Sequence, residues 1–75
     1  MLARTPKALG AAARDRRQRL GWTQQQLADA MDVTRKWVNE FENGKGTVQV
    51  RLMFDALSAL GLSLDLREVA DRADD

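Results

Sequence analysis

Apolar side chains recur at helical spacing along most of the chain, and residues typical of caps and turns divide this pattern into segments. The first segment starts at Thr5-Pro6, where Thr suits a helix cap and Pro suits the first helical position. It should continue to about Leu20 and end at Gly21. The pattern therefore predicts an amphipathic first helix. Its expected inward face consists of Leu9, Ala12, Ala13 and Leu20.

Residues 21–44 contain the signals of two short helices joined by a tight turn. Thr23 is a natural N-cap, and Gln26 three residues later completes a capping box. The helix that follows should end at about Met31. The turn then falls on Asp32-Val33, because Asp tolerates the left-handed backbone that such turns often need.

The second helix of this pair is capped by Thr34 and ends at Asn43-Gly44. Its apolar residues share one side and its polar residues share the other. The apolar side carries Trp37, Val38 and Phe41, and the polar side carries Lys36, Asn39, Glu40 and Asn43, with Arg35 at its flank. A helix that buries one face and displays this polar set on the other predicts a helix-turn-helix, with residues 34–43 as the recognition helix.

A fourth helix is expected from a cap at Thr47 to about Leu60-Gly61. Its core-facing stripe is expected to contain Val50, Met53, Phe54, Leu57 and Leu60. Residues 62–67 then alternate apolar and polar at period two, which is typical of a strand. One strand cannot satisfy its own backbone, so we expect it to pair with a second copy, antiparallel across a two-fold axis. The alternative is a frayed helix extension or a loop. The strand residues expected at this interface are Leu62, Leu64 and Leu66.

Composition narrows the class of protein. The 75 residues suit one domain (residues 1–67, with a short acidic tail at 68–75 that should fray), and a core of this size gains from a second copy. Cys and His are both absent, which removes the commonest nucleophile, general base and metal ligand, so we expect no enzyme and no cofactor. No apolar run reaches the ~20 residues needed to span a membrane, and no secretory signal is present, which favours a cytoplasmic protein associated with DNA.

Charge is unevenly distributed although the net charge is only +1. Residues 1–20 carry six basic side chains and one acidic side chain, whereas residues 47–75 carry three basic and six acidic ones. A basic front half suits contacts with DNA phosphates. The cluster RDRRQR at residues 14–19 is interpreted mainly as a solvated helix face, with a nucleic-acid patch as the alternative.

The recognition helix offers side chains suited to base edges. Arg35 or Lys36 can read guanine O6 and N7, and Asn39 can read adenine N6 and N7. Glu40 can accept from cytosine N4 or form a salt bridge along the helix. Thr34 is placed for a phosphate or a thymine methyl group. Further contacts with the DNA backbone are expected from Asn43 and, second to a packing role, from Trp37.

The run TQQQLADAMDVTRKWVNEFENGK resembles the core of the lambda-repressor/Cro-like family, also described as xenobiotic-response-element-like. Within that family GWTQ, FENG and ALSALGLSLDL resemble the HipB-type antitoxins, and the resemblance covers roughly residues 7–67. It implies an all-α fold: a four-helix, lambda-repressor-like helix-turn-helix domain. The period-two segment adds one short C-terminal strand that pairs across a homodimer. The turn position usually filled by Gly is Asp32 here, which can adopt the same backbone.

The resemblance also assigns roles to individual residues. Gln24 is similar to the family's Gln that clamps the DNA backbone, and Lys45 is a phosphate candidate beyond the recognition helix. A buried Arg needs a carboxylate, and Glu42 lies at the edge of a buried face. Helical spacing alone leaves Arg16 and Arg17 open as its partner; the resemblance points to Arg17.

Three binding functions fit these observations. The first, which the closer resemblance implies, is an antitoxin that represses its own operon and binds a HipA-type serine/threonine kinase toxin. The second is a stand-alone phage or host repressor without a toxin. The third is a protein–protein adaptor whose DNA binding is vestigial. In the first two, double-stranded DNA with an inverted-repeat operator is the expected partner of the homodimer.

Overall fold

The computed structural model describes residues 2–70 and contains four α-helices in that range. They are α1 (Pro6–Arg19), α2 (Gln24–Met31), α3 (Arg35–Glu42) and α4 (Val50–Ala59). The all-α fold expected from the sequence is therefore confirmed. None of these helices is long and apolar enough to cross a membrane. The part of the predicted acidic tail at residues 71–75 lies outside the described residues.

Three of the helices begin at the caps that the sequence predicts. The Thr5 hydroxyl accepts from the Ala8 amide at 3.0 Å, and the Thr34 hydroxyl accepts from the Trp37 amide at 3.0 Å. At α2 the Thr23 hydroxyl accepts from the Gln26 amide, and the Gln26 side chain accepts from the Thr23 amide at 2.7 Å. The capping box is thus complete, and each cap satisfies an amide that would otherwise lack a partner at a helix start.

The turn between α2 and α3 depends on Asp32. Its backbone is left-handed, with φ 57° and ψ 46°, and it is the C-cap of α2. The other positive φ angles of the described residues belong to glycines. The expectation that Asp would adopt the conformation usually given to Gly at this turn is confirmed.

The core lies where all four helices meet. Its fully buried side chains from α2 and α3 are Leu27, Ala28, Val38 and Phe41, and α1 and α4 add Ala13, Ala56 and Leu60. Small side chains at two of these positions, Ala13 and Ala28, allow the helices to approach closely.

An especially close approach occurs between α1 and the end of α3. A Cβ atom added at Gly10 would lie 2.7 Å from the Glu42 carbonyl oxygen and closer still to the Phe41 carbonyl oxygen. These are backbone atoms that cannot easily move aside. Gly10 therefore lets α1 cross directly over the last turn of α3.

Two expectations for α4 are wrong. Thr47 does not cap it: residues 46–47 form a turn, and the N-cap is Gln49, which makes no side-chain cap hydrogen bond. Val48 packs against the core in the segment just before the helix, and α4 therefore begins only at Val50.

The expected apolar stripe of α4 is only partly buried. Leu57 and Leu60 are buried and Met53 is partly buried, but Val50 is 64% exposed and Phe54 is 50% exposed. The buried face is centred on Ala56 and Leu60 instead, one turn apart, so the other edge of the stripe faces outward. Leu20, expected on the inward face of α1, is instead the C-cap of that helix and is 37% exposed.

The described part of the segment after α4, residues 62–70, has no helix or strand within the single chain. Leu62 packs partly against the core, whereas Leu64 is exposed and Leu66 is 93% exposed. Pairing with a second copy is a property of an assembly, so the strand at residues 62–67 stays a prediction.

Candidate nucleic-acid interface

The polar side of α3 is displayed to solvent. Arg35, Lys36 and Asn39 are exposed, and Asn43 is exposed at the C-cap of the helix, while Glu40 is half-buried. The opposite side of the helix carries the buried Val38, Phe41 and Glu42. The residues expected at base edges therefore share one accessible face, as the helical spacing predicts.

The start of α2 lies against this face. The Gln24 side-chain amide donates to Asn39 Oδ1 at 3.3 Å and to Glu42 Oε1 at 3.1 Å. A shallow depression between the starts of α2 and α3 is lined by Gln24, Gln25 and Arg35. Gln24 therefore connects the first helix of the motif to the exposed centre of the second.

Asn39 is held from two sides. Its side-chain oxygen accepts from Gln24 Nε2 and, at 3.2 Å, from Asn43 Nδ2, which also donates to the Asn39 backbone carbonyl at 2.8 Å. An amide oxygen has two lone pairs, so both are engaged, whereas the amide nitrogen of Asn39 makes no hydrogen bond among residues 2–70. Asn39 is thus positioned as a hydrogen-bond donor.

Arg17 and Glu42 form a buried ion pair beneath this surface. Arg17 Nε donates to Oε2 at 2.7 Å and Nη2 donates to Oε1 at 3.0 Å, while Nη1 donates to the Trp22 carbonyl at 2.7 Å. The two residues are 7% and 5% exposed. This fork-to-fork geometry is the strong form of the interaction, and it joins α1, the loop before α2 and the end of α3.

The neighbouring Arg16 has a different role, which the sequence analysis did not predict. Its Nε donates to the Leu60 carbonyl at 2.9 Å, at the C-cap of α4. The two alternatives that helical spacing left open are thereby separated. Arg17 is the partner of Glu42, and Arg16 satisfies a carbonyl at the end of another helix.

Trp37 packs within the domain. It is half-buried, and its ring stacks on Phe41 with 5.1 Å between centroids and 19° between planes. Such stacking adds to the stabilisation that burial of the ring area gives. This geometry matches the packing role that the sequence favours, and the expected contact with the DNA backbone stays a prediction.

Glu40 and Lys45 contact each other. Lys45 Nζ lies 3.2 Å from Glu40 Oε1, and both side chains are accessible to solvent. The salt bridge considered for Glu40 is therefore formed with a residue beyond the helix. An exposed pair of this kind contributes only about 0–1 kcal/mol, so either side chain can exchange its partner for a base or a phosphate at little cost.

The family of this chain is shown by its similarity to known proteins. The sequence profile described as "Helix-turn-helix domain" matches residues 8–70. The chain belongs to this family. Helix-turn-helix domains insert the second helix of the motif into the DNA major groove, so the family is a DNA-binding, regulatory one. No curated protein matches the chain.

Solved structures similar to this helix-turn-helix domain include HipB proteins. A "HipB-O4 20mer complex" has a TM-score of 0.82 and 29% identity, and the match covers 91% of this chain and 96% of that chain. The "HipA-HipB-O2-O3 complex" gives the same TM-score, identity and coverage, as does a structure described as "MDT Protein". The fold is therefore HipB-like over almost the whole chain.

Proposed function

We propose that this helix-turn-helix domain is a sequence-specific repressor and the antitoxin of a HipBA-type operon. The observation that carries the proposal is the exposed polar face of α3, whose central Asn39 is held by Gln24 from the start of α2. Side chains that read bases must be presented in fixed positions, and this hydrogen bond fixes one of them. The similarity to a HipB in complex with a 20mer supports the same conclusion.

In this proposal α3 enters the major groove and each polar side chain has a role. Arg35 or Lys36 donates to guanine O6 and N7, and Glu40 accepts from cytosine N4 after releasing Lys45. Asn39 was expected to read adenine through both of its amide atoms. With its oxygen occupied, we instead favour donation from its nitrogen to a purine N7 or to guanine O6.

Contacts with the DNA backbone flank these base contacts. Thr34 and Gln24 stand at the starts of the two motif helices, where amides and the helix dipole favour phosphate. Asn43 and Lys45 stand at the other end of α3, and Trp37 lies within the first turn of the same helix. Such contacts fix the register of the protein on the duplex, whereas the base contacts give specificity.

We infer that the DNA-binding unit is a homodimer paired through residues 62–67. Leu64 and Leu66 are exposed in the single chain, and Val50 and Phe54 of α4 add further exposed apolar surface. A second copy would cover such surface and complete the backbone pairing of the strand. The two-fold axis would present two α3 helices, so the operator should be an inverted repeat.

The toxin partner is proposed from similarity. One of the similar structures is a HipA–HipB–O2–O3 complex, in which a HipB is assembled with HipA. We propose that the present chain likewise binds a HipA-type serine/threonine kinase and represses the operon that encodes both proteins. The alternative, a stand-alone repressor of phage or host origin, differs only in lacking this partner.

Two experiments test the proposal. Fluorescence anisotropy would measure binding of the chain to the duplex upstream of its own reading frame and to a scrambled duplex, over a range of salt concentrations. Preferential binding to the first duplex, weakening steeply with salt, is expected. Equal and weak binding to both duplexes would reject the autoregulatory repressor and favour the protein–protein adaptor.

The toxin is tested separately, with the proteins encoded by the neighbouring reading frames. Each neighbour is co-expressed with the affinity-tagged chain, and one of them, a kinase, should co-purify in a stable complex. The chain should also relieve the growth arrest that this kinase causes. If no neighbour co-purifies while operator binding is intact, the stand-alone repressor is the correct function.

A further inference from the structure

One stripe of α1 borders the end of the recognition helix. Lys7, Ala11, Arg14 and Gln18 follow one another at intervals of four and three residues, so they share a face of the helix. An open groove between this stripe and the end of α3 is lined by these residues together with Asp15, Glu42 and Asn43. The proposed base contacts involve none of the α1 residues that line this groove.

Close backbone packing fixes the position of the groove. Gly44 follows Asn43 with φ 90°, and a Cβ atom added there would lie 2.7 Å from the Lys7 Cα. Gly10 brings the next turn of α1 against the Phe41 and Glu42 carbonyls. Lys7 therefore stands beside the loop that follows α3, and the α1 stripe continues the surface on which Asn43 is displayed.

The charges of the groove do not cancel. Its two carboxylates already have arginine partners, because Asp15 pairs with Arg19 at 2.9 Å and Glu42 pairs with Arg17 at 2.7 Å. Among residues 2–70, Lys7 and Arg14 make no salt bridge. Both side chains are exposed, so the groove presents two positive charges to solvent beside the DNA-reading helix.

We propose that this groove binds the sugar–phosphate backbone of DNA, which extends the interface beyond the helix-turn-helix itself. Lys7 and Arg14 each neutralise a phosphate, and the Gln18 amide donates a hydrogen bond to the same strand. Lys7 and Arg14 are seven positions apart, which corresponds to roughly 10 Å of helix. That length corresponds to about three phosphates of one DNA strand along its axis. The inference rests on the proposed DNA-binding function and deepens it.

This proposal changes the interpretation of the basic cluster in α1. Its members point in different directions: Arg16 caps α4, Arg17 is buried with Glu42, and Arg19 holds Asp15. Arg14 is the arginine of the cluster that lines the groove. The cluster is thus divided into structural residues and one phosphate ligand, and a uniform solvated face does not describe it.

The test is the salt dependence of DNA binding by Lys7→Gln, Arg14→Gln and the double variant. The control is Asp15→Asn with Arg19→Gln, which removes both members of an exposed salt bridge and therefore leaves no unpaired carboxylate in the groove. Affinity is measured between 50 and 200 mM salt on the duplex upstream of the chain's own reading frame, taken as the operator, and on an unrelated duplex. Each lost phosphate contact should reduce the salt slope by about 0.9 per chain, and by about twice that for a dimer.

The expected loss is the same for both duplexes. Between 50 and 200 mM salt the affinity of both proteins falls. For each phosphate contact that a variant has lost, the fall in wild-type affinity should be about 3.5 times as large as the fall in variant affinity. Operator preference and the thermal unfolding midpoint should not change, because both side chains are exposed. The control with Asp15→Asn and Arg19→Gln should retain the wild-type slope.

Three results would overturn the proposal, and they are distinguishable. Variants whose salt slope equals that of the wild type would place the groove outside the interface, while the proposed DNA-binding function would stand. A wild-type chain that binds neither duplex would reject the proposed function itself and the groove with it. A groove variant that loses operator preference instead of salt dependence would also contradict a backbone contact.

Discussion

Breaking the ion pair between Arg17 and Glu42 should destabilise the domain far more than removing both partners together. Arg17→Met leaves the Glu42 carboxylate buried, with the Gln24 amide at 3.1 Å as its remaining side-chain donor. Glu42→Leu leaves the guanidinium buried, with the Trp22 carbonyl at 2.7 Å as its remaining acceptor. In either case a charge stays out of water without its counter-charge.

The magnitude follows from burial and geometry. With both residues less than a tenth exposed and two hydrogen bonds at 2.7 and 3.0 Å, loss of one partner should cost roughly 3–5 kcal/mol. A domain of this size has a total unfolding free energy of about 4–11 kcal/mol. Either single change should therefore remove a large part of the stability. The double change Arg17→Met with Glu42→Leu removes both charges and should cost less than either single change.

The assay is urea unfolding followed by circular dichroism, with all variants at one chain concentration because a dimer makes stability depend on concentration. If a single variant is unfolded without urea, the double variant should recover the helical signal of the wild type. Additive losses in the double variant would refute the reasoning, since additivity means that the two side chains do not interact.

Three further predictions concern the backbone and the assembly. Gly10→Ala should lower the unfolding free energy of the domain in urea by about 1–3 kcal/mol, because the new Cβ meets carbonyl oxygens and this outweighs the better helix propensity of Ala. The control Gly46→Ala, with its nearest new contact at 3.9 Å, should be close to neutral, and a Gly10→Ala variant more stable than the wild type would contradict the close approach. Asp32→Gly should keep or raise the unfolding free energy by up to ~1 kcal/mol, because Gly adopts φ 57° without strain, and a loss larger than that would show that the Asp side chain is required. Leu64→Pro with Leu66→Asp should convert the dimer to monomer in analytical ultracentrifugation, because proline removes a backbone donor from the strand pairing and the charge opposes burial. A variant that still sediments as a tight dimer would place the interface outside residues 62–67, on α4.

Local chemistry made much of the fold predictable. Thr5, Thr23 and Thr34 act through hydrogen bonds to residues three positions away, so their roles are visible in the sequence itself. The left-handed turn at Asp32 and the polar face of α3 are likewise set by residues within one or two turns. Such features depend little on the rest of the molecule, which is why they were predicted correctly.

Features that depend on contacts between distant segments were less predictable. The burial of α4 depends on its rotation against the other helices, so Val50 and Phe54 match a core-facing stripe in sequence yet lie outside. The sequence gives no sign that Gly10 touches the backbone of α3. The bond from Arg16 to the Leu60 carbonyl joins residues 44 positions apart, and no local pattern reports it.

The candidate site shows the same division. Helical spacing was sufficient to place Arg35, Lys36 and Asn39 on one exposed face. The donation from Gln24 to Asn39 crosses from one helix to the next, and it engages the side-chain oxygen of Asn39. Helical spacing therefore predicted which residues of α3 are exposed, while the hydrogen bonds made by Asn39 required the structure.

The central claim, that the exposed face of α3 reads base edges, is tested most directly by selection from a pool of random duplexes followed by sequencing. The wild type should enrich an inverted repeat whose half-sites are centred about 10 bp apart, or a multiple of it. Lys36→Ala and Asn39→Ala should each lose the preference at one position of the half-site, at a cost of about 1–3 kcal/mol, while Arg19→Gln should enrich the wild-type sequence. Enrichment of the same sequence with undiminished preference by both α3 variants would contradict the claim.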